Sequence, residues 1–357
     1  MNVFQSQSHT TARLDYSTIH ISEWEAMNVI QTFQHAVSSI VRNPSQLIGE
    51  VDLLSVRDKN QISLWNKYIP EEISSCVHHM IHHVALENPT LEAIHSWDGT
   101  MSYRELDDLS SSLAGYLIKL GVGPEIIVPL CFEKSKWAIV SMMAVLKAGG
   151  ACVSLDPAHP QSRRQNLIKQ VKGTILLTSK NSNSSMLDNV HTIIVDLQLF
   201  DNLPTLFTPP SVAVTPKNSA FVVFTSGSTG QPKAIIQEHG AFCASARDYT
   251  LAIQLDSKSR VLQFAAYTFD VSNSDIFTAL MNGCCLCIPS EEDRVNNLAA
   301  AIREMNVNTA CLTPTVATLL SPEEVPSIRI LSLAGEAMKK DIIIQWQDKC
   351  SLVNIYG

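Results

Sequence analysis

The stretch 220–242, AFVVFTSGSTGQPKAIIQEHGAF, constrains this chain more than any other, because an apolar run enters a loop of hydroxyls and glycines that closes on one lysine. Residues 220–224 are continuous and apolar, which predicts a buried strand of a parallel sheet. From 225 to 230 both helical and strand periodicity stop. Gly227 and Gly230 permit dihedrals closed to other residues and a close backbone approach to a bulky anion. Thr225, Ser226, Ser228 and Thr229 offer hydroxyl donors to phosphate oxygens, and Lys233 adds positive charge. A Walker A loop needs glycine directly before the lysine and Ser or Thr after it; Pro232 and Ala234 stand there, which disfavours a P-loop NTPase. A flexible Ser/Gly connector is the alternative that the hexamer alone leaves open.

The chain has 357 residues, 45% of them apolar, enough for a large buried core and two or three domains. Its net charge of -8 argues against nucleic acid or an anionic membrane as the main partner and favours small-molecule chemistry. Nine cysteines without framework spacing, and no secretory signal, place it in a reducing cytoplasm. The longest apolar run, 137–146, is too short to span a bilayer and reads as a buried helix.

Helical and strand patterns alternate along the rest. Val29, Ile30, Phe33, Val37, Ile40 and Val41 share one helical face, with Ser22 as cap and Asn43-Pro44 as stop; the stretch 51–66 starts strand-like and turns polar. A helix from Ser74 carries Val77, Met80, Ile81, Val84 and Ala85 on its core side. His78, His79, His82 and His83 are read as a solvated face rather than zinc ligands, since the residue after His78 is not glutamate. Met101 to Leu106 leads into a further helix with Leu109, Leu113, Tyr116 and Leu117 at core spacing, another is expected over 137–146, and strands over 126–131, 174–178 and 192–195. Gly149 and Gly150 end one helix before a short strand. The proline-rich stretch 201–218 suggests an irregular connection between two lobes. This is an α/β architecture with layered, largely parallel sheets.

The ordered sequence TSGSTGQPK resembles the signature loop of the adenylate-forming enzymes and, with what surrounds it, the amino-acid-activating adenylation domains of nonribosomal peptide synthetases. Ala234 departs from the glycine usual there. LKAGGACVSLDPAHPQSR resembles the family's second motif, with Cys152 and Ser154 where tyrosine and proline are usual. Residues 1–66 resemble the tail of a condensation domain and its junction, and 67–357 the larger N-terminal lobe of an adenylation domain, incomplete at its C-terminus.

The resemblance implies ATP and Mg²⁺ as cofactors, with Thr225, Ser226, Gly227, Ser228, Thr229, Gly230 and Lys233 holding phosphate and Lys233 catalytic. It also implies a nucleotide site shaped by Gly335, Glu336, Asn354 and Tyr356. Asp270 lies in an apolar and aromatic run, FAAYTFDVSNSDIFTALMNG, where a buried carboxylate needs a cation. The FDVS sequence resembles the motif that anchors an amino acid's α-ammonium; an aspartate capping the following helix is the alternative. Asp275 is read as exposed, and Cys284, Cys285 and Cys287 as core. Carried over by motif, the amino-acid pocket includes Asp270, Val271, Ser274, Cys311, Ser332, Ala334 and Ile355, mostly small, which favours a bulky apolar or aromatic substrate over a charged one. No metal ligand is expected within the chain, because the magnesium-binding acid and the catalytic lysine of the C-terminal lobe would follow Gly357. The function expected is amino-acid activation as aminoacyl-AMP, impaired by truncation. The alternative is an inactive remnant or split-enzyme subunit that binds a polypeptide carrying the missing lobe and carrier domain.

Overall fold

The computed structural model describes residues 1–6, 8–69, 71–182, 189–204, 210–225 and 232–355. The chain divides into two compact units, Met1–Glu71 and Glu72–Gly357.

The first unit holds a hairpin, Asn2–Gln5 with Thr10–Arg13, and two helices, Glu23–Arg42 and Val56–Trp65. Ser22 begins the longer helix with a reciprocal capping box: its hydroxyl accepts from the Glu25 amide while the Glu25 carboxylate accepts from the Ser22 amide. The second helix corrects the strand-like reading of 51–55. Ser55 and Asp58 form a second capping box that turns the polar stretch into a helix, and residues 51–55 before it form no strand. Among the described residues of this unit, Ala26 and Ser55 alone are buried. Val29, Val37, Ile40 and Val41, on the apolar helix face, are exposed.

The second unit is layered. Among the described residues, one sheet has six strands in the order Lys233–Glu238, Ser219–Thr225, Ala151–Leu155, Ile127–Cys131, Ile175–Thr178, His191–Ile194, all parallel except the first pair. The other has seven, in the order Ser351–Asn354, Ile330–Leu333, Thr309–Leu312, Arg260–Leu262, Cys285–Ile288, Glu92–Ser96, Gly99–Ser102, parallel except for the last hairpin. The main core joins Leu130 and Phe221 of the first sheet to Ile94 and Leu286 of the second through helices Val77–Glu87, Tyr103–Lys119 and Lys136–Lys147. Ala138, Ile139, Met143 and Leu146 of the last helix are fully buried, as expected of a helix covering parallel sheets. On the outer faces, Leu167 and Ile168 cover the first sheet and Ile302, Ile342 and Trp346 the second.

The Gly149-Gly150 stop is a Schellman motif. Gly149 has φ of +88°, and the Gly150 amide bonds the Val145 carbonyl at 2.9 Å. A Cβ at Gly150 would lie 2.9 Å from the Ile126 carbonyl oxygen, so the strand can start only if this position has no side chain.

Three expectations are corrected. The stretch 201–218 does not join two lobes, because the strands on either side of it, His191–Ile194 and Ser219–Thr225, belong to the same sheet. The histidine face is not wholly solvated: His78 is buried, with its ring 5.3 Å from that of buried His239, while His82 bonds Asp107 at 2.9 Å. Lys233 is not part of a free loop but opens an antiparallel strand that periodicity did not reveal.

Candidate active site

The strands on either side of the signature stretch, Ser219–Thr225 and Lys233–Glu238, pair antiparallel, and Thr225 and Lys233 are Cα partners at the end next to it, so the chain leaves the sheet edge and rejoins it at the same point. Both are exposed there. Ser226, Gly227, Ser228, Thr229 and Gly230 lie outside the described residues, as does Tyr356.

The seven-stranded sheet delivers the second group of residues at its carboxyl edge. Cys311 pairs with Ser332, and Leu312 with Leu333 and Leu333 with Asn354, in parallel register. Leu312 and Leu333 enter the outer core, so Cys311 and Ser332, one residue earlier, face inward. Both are buried. Beyond the strands, Ala334 donates to the Leu312 carbonyl at 3.0 Å and Ile355 to the Leu333 carbonyl at 2.8 Å. Gly335 has φ of +84°, which turns the chain away from the sheet. Exposed Glu336 accepts from the Thr315 hydroxyl at 2.5 Å and its amide at 3.1 Å, and those bonds, the hydroxyl's first, lower its pKa.

Helix Asp270–Asn273, a π-helical turn Ser274–Thr278 and helix Ala279–Met281 run on from one another opposite these strands. The sequence reading of the two aspartates is reversed. Asp270 is exposed at the first helical position, its carboxylate accepting from the Val271 amide at 2.8 Å, so the residue expected in an apolar setting stands at the surface. Asp275, expected exposed, is 5% exposed, with Oδ2 lacking a hydrogen-bond partner. The reason is depth: residues 275–281 are buried without a break, so the chain is covered on every side there, whereas Asp270 stands at the exposed start of the helix. Burial raises its pKa well above the carboxylate range, opposed by the charge of Lys134. Val271 and Ser274 are half-buried.

Tyr249, which the sequence reading missed, joins this group. Its hydroxyl and the Cys311 thiol are both pushed up, first by burial and then by neighbours that include Asp275. The structure thus gathers Cys311, Ser332, Tyr249 and Asp275 on the inner face of the second sheet. No hydrogen bond joins Asp270 to them among the described residues.

A cavity of about 670 Å³ opens where strands Ile127–Cys131, Ala151–Leu155 and Cys285–Ile288 end. Buried Lys134 and Arg164 line it together with Asp156, Tyr267, Glu291 and Arg294. Carboxyl ends of parallel strands are the usual ligand edge of α/β sheets. Neither Lys134 nor Arg164 was singled out from the sequence; Lys134 follows shortly after the apolar strand Ile127–Cys131, and Arg164 lies within helix Gln161–Gln170 with no local signal. Cys284, Cys285 and Cys287 are buried, as expected of core residues.

Residues 81–357 match the family described as AMP-binding enzyme. The chain belongs to the AMP-binding enzymes. Among curated proteins this AMP-binding chain is 44% identical over 350 residues to nonribosomal peptide synthetase atnA of Emericella nidulans, covering 97% of this chain and 5% of that protein. It is 41% identical over 360 residues to D-lysergyl-peptide-synthetase subunit 2 of Epichloe festucae var. lolii, covering 98% of this chain and 26% of that one. The chain therefore spans a small part of these relatives. Among solved structures, the AMPPNP-bound form of the nonribosomal peptide synthetase FmoA3 superposes with a TM-score of 0.82 at 20% identity, covering 94% of this chain and 37% of that one. VinN in complex with 3-methylaspartate gives 0.70 at 16% identity, over 80% and 79%. These likenesses show the fold, the N-terminal lobe of the adenylate-forming enzymes. Among the described residues no helix is long and apolar enough to cross a membrane.

Proposed function

We propose that this AMP-binding chain activates an amino acid with ATP as one step of nonribosomal peptide assembly in the cytoplasm. The observation that carries the reading is the hairpin that closes TSGSTGQPK between Thr225 and Lys233, on a chain whose residues 81–357 match the AMP-binding family. A carboxylate oxygen of the amino acid attacks the α-phosphorus of ATP; the bond to the pyrophosphate leaving group breaks, and aminoacyl-AMP forms. Charge builds on phosphoryl oxygens, and fixed donors and cations stabilise it. Thr225, the loop hydroxyls and Lys233 hold the pyrophosphate portion. Gly335, Glu336, Asn354 and Tyr356 form the nucleotide side.

Asp270 is the anchor for the amino acid's ammonium, and its exposure supports that role, since a carboxylate at the surface is open to a cation. Cys311, Ser332 and Tyr249 form the wall beneath, with Val271, Ser274, Ala334 and Ile355 around it. Magnesium would accompany ATP. Among the described residues no three His, Cys, Asp or Glu side chains are grouped as a metal ion needs.

Residues 1–66 are proposed as the condensation-domain tail and 67–357 as the adenylation domain. A second reading, a subunit that binds a polypeptide bearing a C-terminal lobe and carrier domain, is favoured by Ile235 and Ile236, each more than half exposed on the edge strand Lys233–Glu238. Amino-acid-dependent ATP–pyrophosphate exchange tests the first reading. Exchange in the native chain, lost in Lys233→Ala and Asp270→Asn, is expected. Exchange that persists in Asp270→Asn would overturn the anchor. Sedimentation of the chain alone tests the second, which a clean monomer contradicts.

A further inference from the structure

We infer that Lys134 is a positioning residue for the amino-acid site, its buried ammonium holding the 263–272 segment so that Asp270 is presented at the start of its helix. This rests on the reading of Asp270 as the amino-acid anchor. Lys134 is 2% exposed, and its hydrogen-bond acceptors all come from one short stretch. Its Nζ donates to the carbonyls of Gln263 at 3.4 Å, Phe264 at 3.3 Å and Ala265 at 2.5 Å, and to Gln263 Oε1. An ammonium has three N–H donors, so these four acceptors share it.

The acceptors belong to the segment that leaves strand Arg260–Leu262 and leads into helix Asp270–Asn273. Carbonyls that converge outside a helix or sheet repel one another, and a cation at their focus removes that repulsion. The hold is passed on by Gln263, whose Nε2 donates to the Ala265 carbonyl at 2.8 Å and to the Ser272 hydroxyl at 3.1 Å, tying the strand end to the helix that carries Asp270. The Tyr267 ring lies 4.7 Å from Nζ, and its hydroxyl accepts from the Ser135 amide at 3.4 Å.

The base of the lysine is itself fixed. Trp97 Nε1 donates to the Lys134 carbonyl at 2.7 Å, and the Lys136 amide donates to Asp98 at 3.1 Å. The ammonium is thus a rigid post on one sheet that sets the path of a loop on the other. Its acceptors fit this role better than a generic stabilising one, because they hold three consecutive carbonyls of one loop rather than joining two packed helices.

Hydrogen exchange by mass spectrometry on the 357-residue chain and on Lys134→Met tests this. The expected result is at least about tenfold faster exchange confined to 264–274, while helices Tyr103–Lys119 and Lys136–Lys147 keep their protection. Unchanged exchange in 264–274, or acceleration spread evenly over both helices, overturns the proposal. Gln263→Leu, which removes the relay but leaves the lysine, is expected to loosen the same segment and serves if Lys134→Met does not fold; protection retained in Gln263→Leu counts against the relay. In ATP–pyrophosphate exchange, Lys134→Met is expected to raise the amino-acid KM about tenfold with the KM for ATP unchanged. An equal rise in both overturns the assignment. Should the native chain exchange with no amino acid while the localised loosening is seen, the adenylation reading falls and the hold of Lys134 on the segment stands.

Discussion

Two buried lysines flank one helix, and their surroundings differ. Lys147, the last residue of Lys136–Lys147, meets a carboxylate: Asp107 Oδ1 at 2.7 Å, with the Asp107 carbonyl at 2.7 Å and the Ser111 hydroxyl at 2.9 Å. Lys134, two residues before the same helix, meets carbonyls and a carboxamide. Burial lowers the pKa of both, but at Lys147 the Asp107 charge opposes it directly, whereas Lys134 is brought to about 7 with only weaker help from Glu291 and Asp275 and opposition from Arg294. A buried ammonium paired with a carboxylate is locked into scaffold. One whose hydrogen-bond acceptors are carbonyls and a carboxamide sits near its titration point and can set a loop with no carboxylate bonded to it.

The largest effect expected is on the scaffold side. Lys147→Met leaves Asp107 buried with His82 as its remaining partner, and should cost about 3–5 kcal/mol in urea unfolding. A cost under about 1 kcal/mol would break the contrast, because the pair would then be no more than an exposed one. Lys134→Met should cost less, about 1–3 kcal/mol, since it strands carbonyls rather than a charge. A larger loss than at Lys147 would invert the comparison.

The pH dependence sharpens it. Between pH 7 and about 10 the native protein gives up the Lys134 proton that the unfolded chain keeps, so stability contributed there rises with pH, by up to about 1.4 kcal/mol per pH unit, and the neutral amine keeps two N–H donors for the same carbonyls. Unfolding midpoints at pH 7, 8 and 9 should show a rise that Lys134→Met flattens. His239 extends the argument to acid: burial, more than nearby His79, lowers its pKa to about 4, so stability should fall as pH drops from 6.5 to 4. A native protein as stable at pH 4.5 as at 6.5 would contradict that burial. The smallest effect belongs to Ser111→Ala, about 0.5–1.5 kcal/mol, because Lys147 keeps its carboxylate when one hydroxyl acceptor is lost.

The helices and strands of the second unit were legible from apolar period because both faces of its sheets are buried and little competes with that signal. The amphipathic helix Glu23–Arg42 was equally legible, yet Val29, Val37, Ile40 and Val41 of its apolar face stay exposed and Ile30 and Phe33 are only half-buried, so the same pattern implies different packing in the two units. Strand Lys233–Glu238 was not legible. Its exposed Ile235 and Ile236 carry no alternation, and only pairing with Ser219–Thr225 makes them a strand.

The sequence by itself determined the chemistry available: the hydroxyl- and glycine-rich TSGSTG ahead of Lys233, the FDVS aspartate, and the small residues Ala334 and Gly335 after an apolar strand. These are local, and residue type with spacing suffices to state them. Tertiary structure alone decided which aspartate is buried, because residues 275–281 are covered on every side by packing while Asp270 stands at the exposed start of the helix. It also decided that Lys134 meets the loop before Asp270. That contact spans about 130 residues and two sheets, and a lysine after an apolar strand has no local feature that separates a carbonyl clamp from a solvated surface charge.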